Sequence, residues 1–208
     1  MIYELRTYTF RPGKIGDWLE LVPQVRAVRP DADNCCGYWT AEFGQLNQGW
    51  HLWRYDSLNE RERLRADIAK IEGLRELYPA VRSLLQRQDI RFMKPVMDLK
   101  PPAVEGGIYE LRIYRTLPGM AGRWAELLKS YLPVRERYSP IVGLWVGGAP
   151  QPNEGVHMWH YADLNARMKA RAAASADPQR QEFLAEDTPL LDEMQSIILL
   201  PTAFSPMK

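Results

Sequence analysis

Cysteine and histidine are scarce in this chain. Only two of its 208 residues are cysteine and only three are histidine. The cysteines, Cys35 and Cys36, are neighbours, so a disulfide between them would need a strained ring, and they lack the spacing of zinc ligands. We therefore expect two free thiols in a reducing compartment, the cytoplasm, and no metal centre.

Long apolar runs and an excess of charge of one sign are also lacking. No apolar stretch approaches the ~18 residues of a membrane span, and the first residues lack the basic start and apolar core of a signal peptide. Lys and Arg number 27 against 26 Asp and Glu, which gives a net charge of +1. We therefore expect neither a membrane nor a nucleic-acid partner.

Catalytic sequence motifs are missing as well. The chain has no Ser-His-Asp order, no HExxH, no CxxC and no glycine-rich dinucleotide fingerprint. It is rich instead in apolar and aromatic residues, since 46% of it is hydrophobic and it contains seven Trp and ten Tyr. Such rings are either buried or bind something. The composition favours a globular protein and leaves open whether it is an enzyme.

The chain contains an internal repeat with an offset of 106 residues. The segment IYELR at residues 2–6 recurs at residues 108–112. Further identical pairs at this offset are Tyr8/Tyr114, Trp18/Trp124, Gly37/Gly143, Trp39/Trp145, His51/His157, Trp53/Trp159 and Tyr55/Tyr161. Ungapped agreement over so long a period indicates a tandem duplication. We predict domains at residues 1–97 and 107–208, joined by a linker at 98–106 that is rich in Pro and Gly.

Each copy predicts the order strand, helix, two strands, helix, strand. In the first copy we expect strands at 2–10, 37–43, 50–55 and 90–96, a helix at 15–28, and a second helical stretch from 58 to about 88. Ser57, and Asp163 in the second copy, fit the cap of that helix. This βαββαβ order is an α+β, ferredoxin-like arrangement with both helices on one sheet face. Because a lone copy would expose its other face, we expect the copies to pack sheet-to-sheet as a pseudo-dimeric α/β barrel.

Several of these segments resemble the hallmark segments of the NIPSNAP-domain family. They are IYELRTY at 2–8, PG at 12–13, GYW at 37–39, Asn47 and HLWRY at 51–55. The resemblance covers the first copy nearly throughout and about the first two-thirds of the second. It implies the dimeric α/β-barrel superfold, which also hosts cofactor-free monooxygenases, haem-dependent enzymes and small-lactone isomerases. The resemblance therefore supplies a fold more than a function.

Alternation along the first strand of each copy separates a charged face from an apolar one. Glu4, Arg6 and Tyr8 share a face, and their counterparts are Glu110, Arg112 and Tyr114. The opposite face suits packing against the helices, so we expect the charged face to point into the space between the sheets. There the charges would either orient a polar ligand or form an ion pair that locks the sheets in register.

The third strand of each copy carries a histidine among aromatic residues. His51, Trp53 and Tyr55 share one face, and His157, Trp159 and Tyr161 repeat it. Each histidine could serve as a general base, as a haem ligand, or as a core residue hydrogen-bonded to a neighbour. The remaining histidine, His160, has Arg54 as its counterpart and is expected at the surface.

Tryptophans and a charged helix complete the candidates. Trp39 and Trp145 lie beside Gly37 and Gly143, and each could be a pocket wall or plain packing. Trp18 and Trp124 lie on the apolar stripe of a helix and are expected in the core. The charged residues at 60–65 have the pattern of a solvated helix face.

Two functions remain open from the sequence. The first is binding of a small hydrophobic or aromatic metabolite in the barrel, with cofactor-free monooxygenase- or isomerase-like chemistry; a haem-binding variant is a further alternative. The second is a non-catalytic interaction module. No residue is assigned as catalytic. Related barrels pair again, so association into a homo-oligomer also stays open.

Overall fold

The computed structural model describes all residues, 1–208, and each half contributes four strands and three helices. The first half comprises β1 (Ile2–Phe10), α1 (Ile15–Val28), β2 (Cys35–Phe43), β3 (Gln48–Tyr55), α2 (Leu58–Ile68), α3 (Glu72–Ser83) and β4 (Leu85–Pro95). The second half comprises β5 (Ile108–Thr116), α4 (Ala121–Arg135), β6 (Ile141–Ala149), β7 (Glu154–Tyr161), α5 (Leu164–Ala176), α6 (Pro178–Asp187) and β8 (Leu191–Pro201). None of these helices is both long enough and apolar enough to cross a bilayer.

The eight strands form one closed antiparallel barrel in the order β1-β3-β2-β8-β5-β7-β6-β4. Two junctions, β2 with β8 and β4 with β6, join the halves. The segments that follow β4 and β8 also cross over: the Lys100 N–H donates to the Val142 carbonyl, and the Thr202 N–H donates to the Tyr38 carbonyl. The expected barrel of two ferredoxin-like units is therefore confirmed.

Helix caps lie where the sequence places them. The Ser57 hydroxyl accepts from the Glu60 N–H at 3.1 Å, and the Asp163 carboxylate accepts from the Ala166 N–H at 2.7 Å. Each side chain satisfies a backbone donor that the first helical turn leaves free.

The last strand of the first half is longer than predicted. β4 starts at Leu85, within the stretch expected to be helical, and pairs along β1 with Gln88 opposite Tyr8. Because residues 86–88 are exposed and polar, their sequence lacks the apolar alternation by which a half-buried strand is recognised. Pairing with β1, which the local pattern does not encode, makes this segment a strand.

The barrel interior is filled by the face that was expected under the helices. Tyr3, Leu5, Tyr109 and Leu111 point inward with a buried cluster that includes Trp39, Trp50, Trp145, Met93, Met158 and Leu199. The prediction that the charged face of β1 and β5 lies between the sheets is therefore wrong. The physical reason is that the large apolar side chains of the inward face fill the interior of this small barrel, while the charged face finds its partners on the helices.

Trp39 and Trp145 are packing residues of this interior. Trp39 meets Tyr109 edge to face at 5.4 Å between ring centroids, and Trp145 meets Tyr3 likewise at 5.6 Å. The indole rings fill the space that Gly37 and Gly143 leave, because a Cβ at either glycine would overlap the ring.

We predict that Gly143→Ala destabilises the protein by about 1–3 kcal/mol, as overpacking of a closed core does. The matched control is Gly73→Ala in α3, where a Cβ meets nothing within 4 Å. That change should stabilise the protein by about 0.5–1 kcal/mol through helix propensity. Urea denaturation of the two variants measures both effects, and an unaltered midpoint for Gly143→Ala would contradict the packing described.

Candidate functional site

The charged face of β1 lies beneath the helices and is organised by Glu4. This carboxylate is fully buried and accepts hydrogen bonds from the Nε atoms of Arg6, on the same strand, and Arg61, on α2. Burial raises the pKa of Glu4, but the charges and hydrogen bonds of the two arginines lower it more, so the net shift is downwards. Glu4 is thus an ion-pair residue that holds Arg6 in position.

Glu110 has the same role in the second half. It accepts from Arg167 Nη2 and from Ser196 Oγ, both at 2.7 Å, and Arg171 Nη1 lies 3.6 Å from the same oxygen. Burial raises the pKa of Glu110, but the hydrogen bond from Arg167 and the charge of Arg112 outweigh it and lower the value to about 2. Both glutamates are therefore ionised and paired.

Beside each ion pair a histidine is locked into one tautomer by a tryptophan. The indole Nε1 of Trp53 donates to His51 Nδ1 at 2.6 Å, and Trp159 donates to His157 Nδ1 at 2.7 Å. An indole N–H can only donate, so each Nδ1 accepts and each Nε2 carries the proton. Neither Nε2 has a hydrogen-bond partner.

This tautomer decides what the histidines can do. Burial, and then the positive charge of Arg6, lower the pKa of His51 well below 6.5. Burial and Arg112 do the same to the pKa of His157. The rings are therefore neutral donors. A general base or a haem iron needs a free nitrogen lone pair, and the only lone pair on each ring is taken by an indole, so the residues present do not fit a haem.

A cavity of about 150 Å³ lies between the sheet and the helices of the first half. We call it the first cavity. Its sheet side is formed by Arg6, Tyr8, His51 and Trp53, and its helix side by Trp18 and Val22 of α1, Arg65 of α2 and Tyr78, Val81 and Arg82 of α3, with Arg29 at the end of α1. Four arginines line it, and no carboxylate does.

The second cavity, of about 70 Å³, is the counterpart in the second half. Seven lining positions are identical at the repeat offset: Arg6/Arg112, Tyr8/Tyr114, Trp18/Trp124, Arg29/Arg135, His51/His157, Trp53/Trp159 and Arg65/Arg171. The two halves therefore share the hydrogen-bond donors of the cavity as well as the arrangement of strands.

The arginines of the first cavity differ in how far they are neutralised. Arg29 forms a bidentate pair with Asp31 at 2.8 and 2.6 Å and lies 4.2 Å from the Trp53 ring centroid. Arg6 uses Nε on Glu4, but its buried Nη2 has no partner. Arg65 pairs with no carboxylate, and burial and then the charge of Arg6 lower its pKa. The cavity therefore carries unneutralised positive charge.

A third cavity, of about 470 Å³, opens at one end of the barrel between the halves. We call it the barrel-end cavity. Its charged side chains are all paired: Arg87 contacts Asp89 at 2.7 Å, and Arg91 contacts Glu154, which lies outside the lining, at 3.0 Å. This cavity is larger than the first cavity, but its charged side chains are paired, whereas the first cavity contains arginines without a carboxylate partner.

The structure divides the predicted site residues into three groups. Eight of them line the two helix–sheet cavities: Arg6, Tyr8, His51, Trp53, Arg112, Tyr114, His157 and Trp159. Glu4, Glu110, Tyr55 and Tyr161 lie on the same sheet face outside the lining, and Trp39 and Trp145 lie inside the barrel.

Sequence reasoning missed the helix side of the cavities. The prediction of a solvated face at 60–65 is wrong for Arg65, which lines the first cavity. Trp18 is a core residue as predicted, and its ring also lines this cavity. The recurrence of Arg29 and Arg65 as Arg135 and Arg171 was the available signal.

His160 was expected at the surface and is buried. Its Nε2 donates to the Gly106 carbonyl at 2.8 Å, and its ring packs on Tyr109. The prediction of a surface position, which relies on the charged counterpart Arg54, is therefore wrong. Instead, the histidine holds the glycine-rich segment that precedes β5.

Comparison with known proteins identifies the family. The NIPSNAP family model matches residues 3–100 and 109–206. The chain belongs to the NIPSNAP family. It is 28% identical to Protein NipSnap homolog 3A of Homo sapiens over 100% of this chain and 86% of that protein. It is 30% identical to Protein NipSnap homolog 3B of Mus musculus over 99% of this chain and 85% of that protein.

Solved structures share the NIPSNAP chain's fold at low identity. A Lactobacillus acidophilus protein provisionally described as a monooxygenase aligns with a TM-score of 0.69 at 11% identity, over 97% of this chain and 94% of that one. An anthrone oxidase-like protein aligns with a TM-score of 0.62 at 12% identity, over 96% of this chain and 90% of that one. At these identities the comparison supports the barrel fold alone.

We predict that His51 and His157 stay neutral, with the proton on Nε2, from about pH 8 to about pH 5. Nitrogen-15 NMR of the imidazoles reports both properties. Because an unfolded histidine titrates near 6.5 and these do not, they also lower the folding stability as the pH falls below that value. Trp53→Phe should free Nδ1 of His51 and leave His157 unchanged, whereas titration of either wild-type ring near 6.5 would contradict the geometry.

Proposed function

We propose that this NIPSNAP protein binds a small aromatic molecule that carries a negative charge, in the first cavity between sheet and helices. The observation that carries the proposal is the lining itself. Four arginines surround a cavity that no acidic side chain lines, two of them (Arg65 and Arg82) form no salt bridge, and Arg6 shares the carboxylate of Glu4 with Arg61. The site proposed is therefore not the barrel interior.

The charge of the ligand follows from the cost of leaving these donors unsatisfied. A buried guanidinium N–H without an acceptor loses its hydration and gains nothing in return. Arg6 Nη2 and His51 Nε2 are both in that state. An anion supplies an acceptor to both and offsets the repulsion between Arg6 and Arg65.

The aromatic character and the size of the proposed ligand follow from the walls of the first cavity. Trp18, Tyr38 and Trp53 present ring surfaces to the cavity, and Val22 and Val81 complete an apolar side. A volume of about 150 Å³ is comparable to that of an engineered protein cavity that admits benzene. The cavity therefore suits a single-ring compound.

The chemistry available is stabilisation of negative charge. The cavity offers N–H donors, but no carboxylate, and the His51 lone pair is occupied. The cofactor-free oxidation or isomerisation that the barrel superfold suggests would use these donors to hold an enolate or phenolate. Since no free base is at hand, such a substrate would have to arrive already ionised. We assign binding to these residues and no bond-breaking step.

The alternative of a non-catalytic interaction module has less support. An unpaired strand edge would favour it, since edges recruit partner strands. The barrel is closed, and every strand is paired on both sides.

We predict that Arg65→Met weakens benzoate binding about tenfold, which is ~1.4 kcal/mol, because it removes a charge that no protein group neutralises. For the same reason the melting temperature should stay unchanged or rise. Isothermal titration calorimetry with benzoate, phenylacetate and neutral benzamide measures the affinities.

The matched control is Arg63→Met, which removes an exposed arginine from the same helix outside the cavity. It should leave the affinity as in the wild type. Equal effects of the two substitutions, or benzamide binding as tightly as benzoate, would overturn the proposal.

A further inference from the structure

The two helix–sheet cavities differ in their charged side chains. Arg82 lines only the first, Arg180 lines only the second, and a third position exchanges an apolar residue for a carboxylate. Val81, at the helix wall of the first cavity, corresponds at the repeat offset to Asp187 in the second. Asp187 is buried, and its carboxylate accepts from the Trp124 indole N–H at 2.9 Å. The second cavity thus contains an acceptor of its own, which the first lacks.

The position of Asp187 at the end of a helix and its burial both disfavour a negative charge there. Asp187 is the last residue of α6, where the helix dipole disfavours a negative charge. Burial raises its pKa, and only the Trp124 hydrogen bond and the charges of Arg180 and Arg112 oppose that. The carboxylate is therefore held there by donors that line the cavity: Trp124, Arg112 and Arg180 of its own helix.

The first cavity keeps two of these three donors, as Trp18 and Arg6, and lacks the acceptor, while Leu74 stands at the position of Arg180. The Trp18 indole corresponds to Trp124 and lines the first cavity, but Val81, at the position of Asp187, offers it no acceptor. The cavity is also larger, about 150 Å³ against about 70 Å³ in the second half. A ligand carboxylate placed on Trp18 would repeat the contact that Asp187 makes, with Arg6 Nη2 buried nearby and unpaired.

We propose that Asp187 is an internal substitute for the ligand. The first cavity binds the carboxylate of a small aromatic acid at the position that Asp187 holds in the second, and the second cavity is already occupied by its own carboxylate. Each chain then binds one ligand, in its first half. This inference rests on the proposed function and deepens it by naming a carboxylate and a single working site.

The test exchanges the two residues in the full-length chain and counts bound benzoate by calorimetry, with benzamide as the neutral control. The wild type should bind one benzoate per chain. Val81→Asp should lose its site with at least a tenfold loss of affinity. Asp187→Val should still bind one benzoate, in the first cavity, because valine is no smaller than aspartate and the second cavity stays too small for the ring. The double exchange should bind none with the wild-type affinity.

Stability gives a readout that needs no ligand. Val81→Asp should unfold at a higher temperature than Val81→Asn, which has the same shape without the charge, because the new carboxylate neutralises arginines that nothing else neutralises. The reverse order would contradict the inference, even where Asp187→Val fails to fold.

The remaining outcomes separate the two proposals. Two benzoates on the wild type, or full benzoate affinity in Val81→Asp, would refute the role of Asp187 and leave the proposed function standing. No benzoate on the wild type or on either exchange would refute the proposed function itself.

Discussion

A buried carboxylate on the first strand of each half is the constraint on which this structure depends. Glu4 and Glu110 are completely shielded from solvent and remain ionised only because arginines surround them. A charge in that position is tolerable only with partners at hydrogen-bond distance. Arg61 of α2 and Arg167 of α5 are among those partners, so the charged face of the sheet has to lie under the helices. The apolar face is then left to fill the barrel, and the donors that the glutamates position line the helix–sheet cavities.

Much of the architecture can be predicted from the sequence, but which face of the sheet lies against the helices cannot. The repeat, the ends of β1 and α1, and the caps at Ser57 and Asp163 follow from local patterns that do not need tertiary contacts. Strand alternation separates two faces but does not say which one meets the helices, since both contain large aromatic residues. The deciding information is carried by Arg61 and Arg167, on helices whose composition resembles a solvated surface. For the same reason the sequence indicates Arg6, His51 and Trp53 but misses Arg65 and Trp18, which complete the cavity only after the helices have docked.

The duplication lets one half change while the fold is kept. Both halves retain the glutamate, the Trp–His pair and the cavity arginines, which together hold the helices on the sheet. The difference between Val81 and Asp187 affects only the space above that framework. The helix wall, where Val22, Tyr78 and Val81 correspond to Leu128, Leu184 and Asp187, can therefore differ between the halves while the barrel stays the same. Low overall identity to other barrel proteins is consistent with this, because strand pairing and interior volume maintain the barrel whereas individual cavity residues determine what it binds.

The most direct test of the proposed binding site is to locate a heavy-atom ligand in the crystal. Crystals of the wild-type protein grown with 4-bromobenzoate would mark the ring by anomalous scattering of bromine. We predict one bromine per chain between the sheet and helices of the first half, with the carboxylate within hydrogen-bonding distance of Trp18 Nε1. A bromine inside the barrel or in the barrel-end cavity, or equal occupancy of both helix–sheet cavities, would contradict the account.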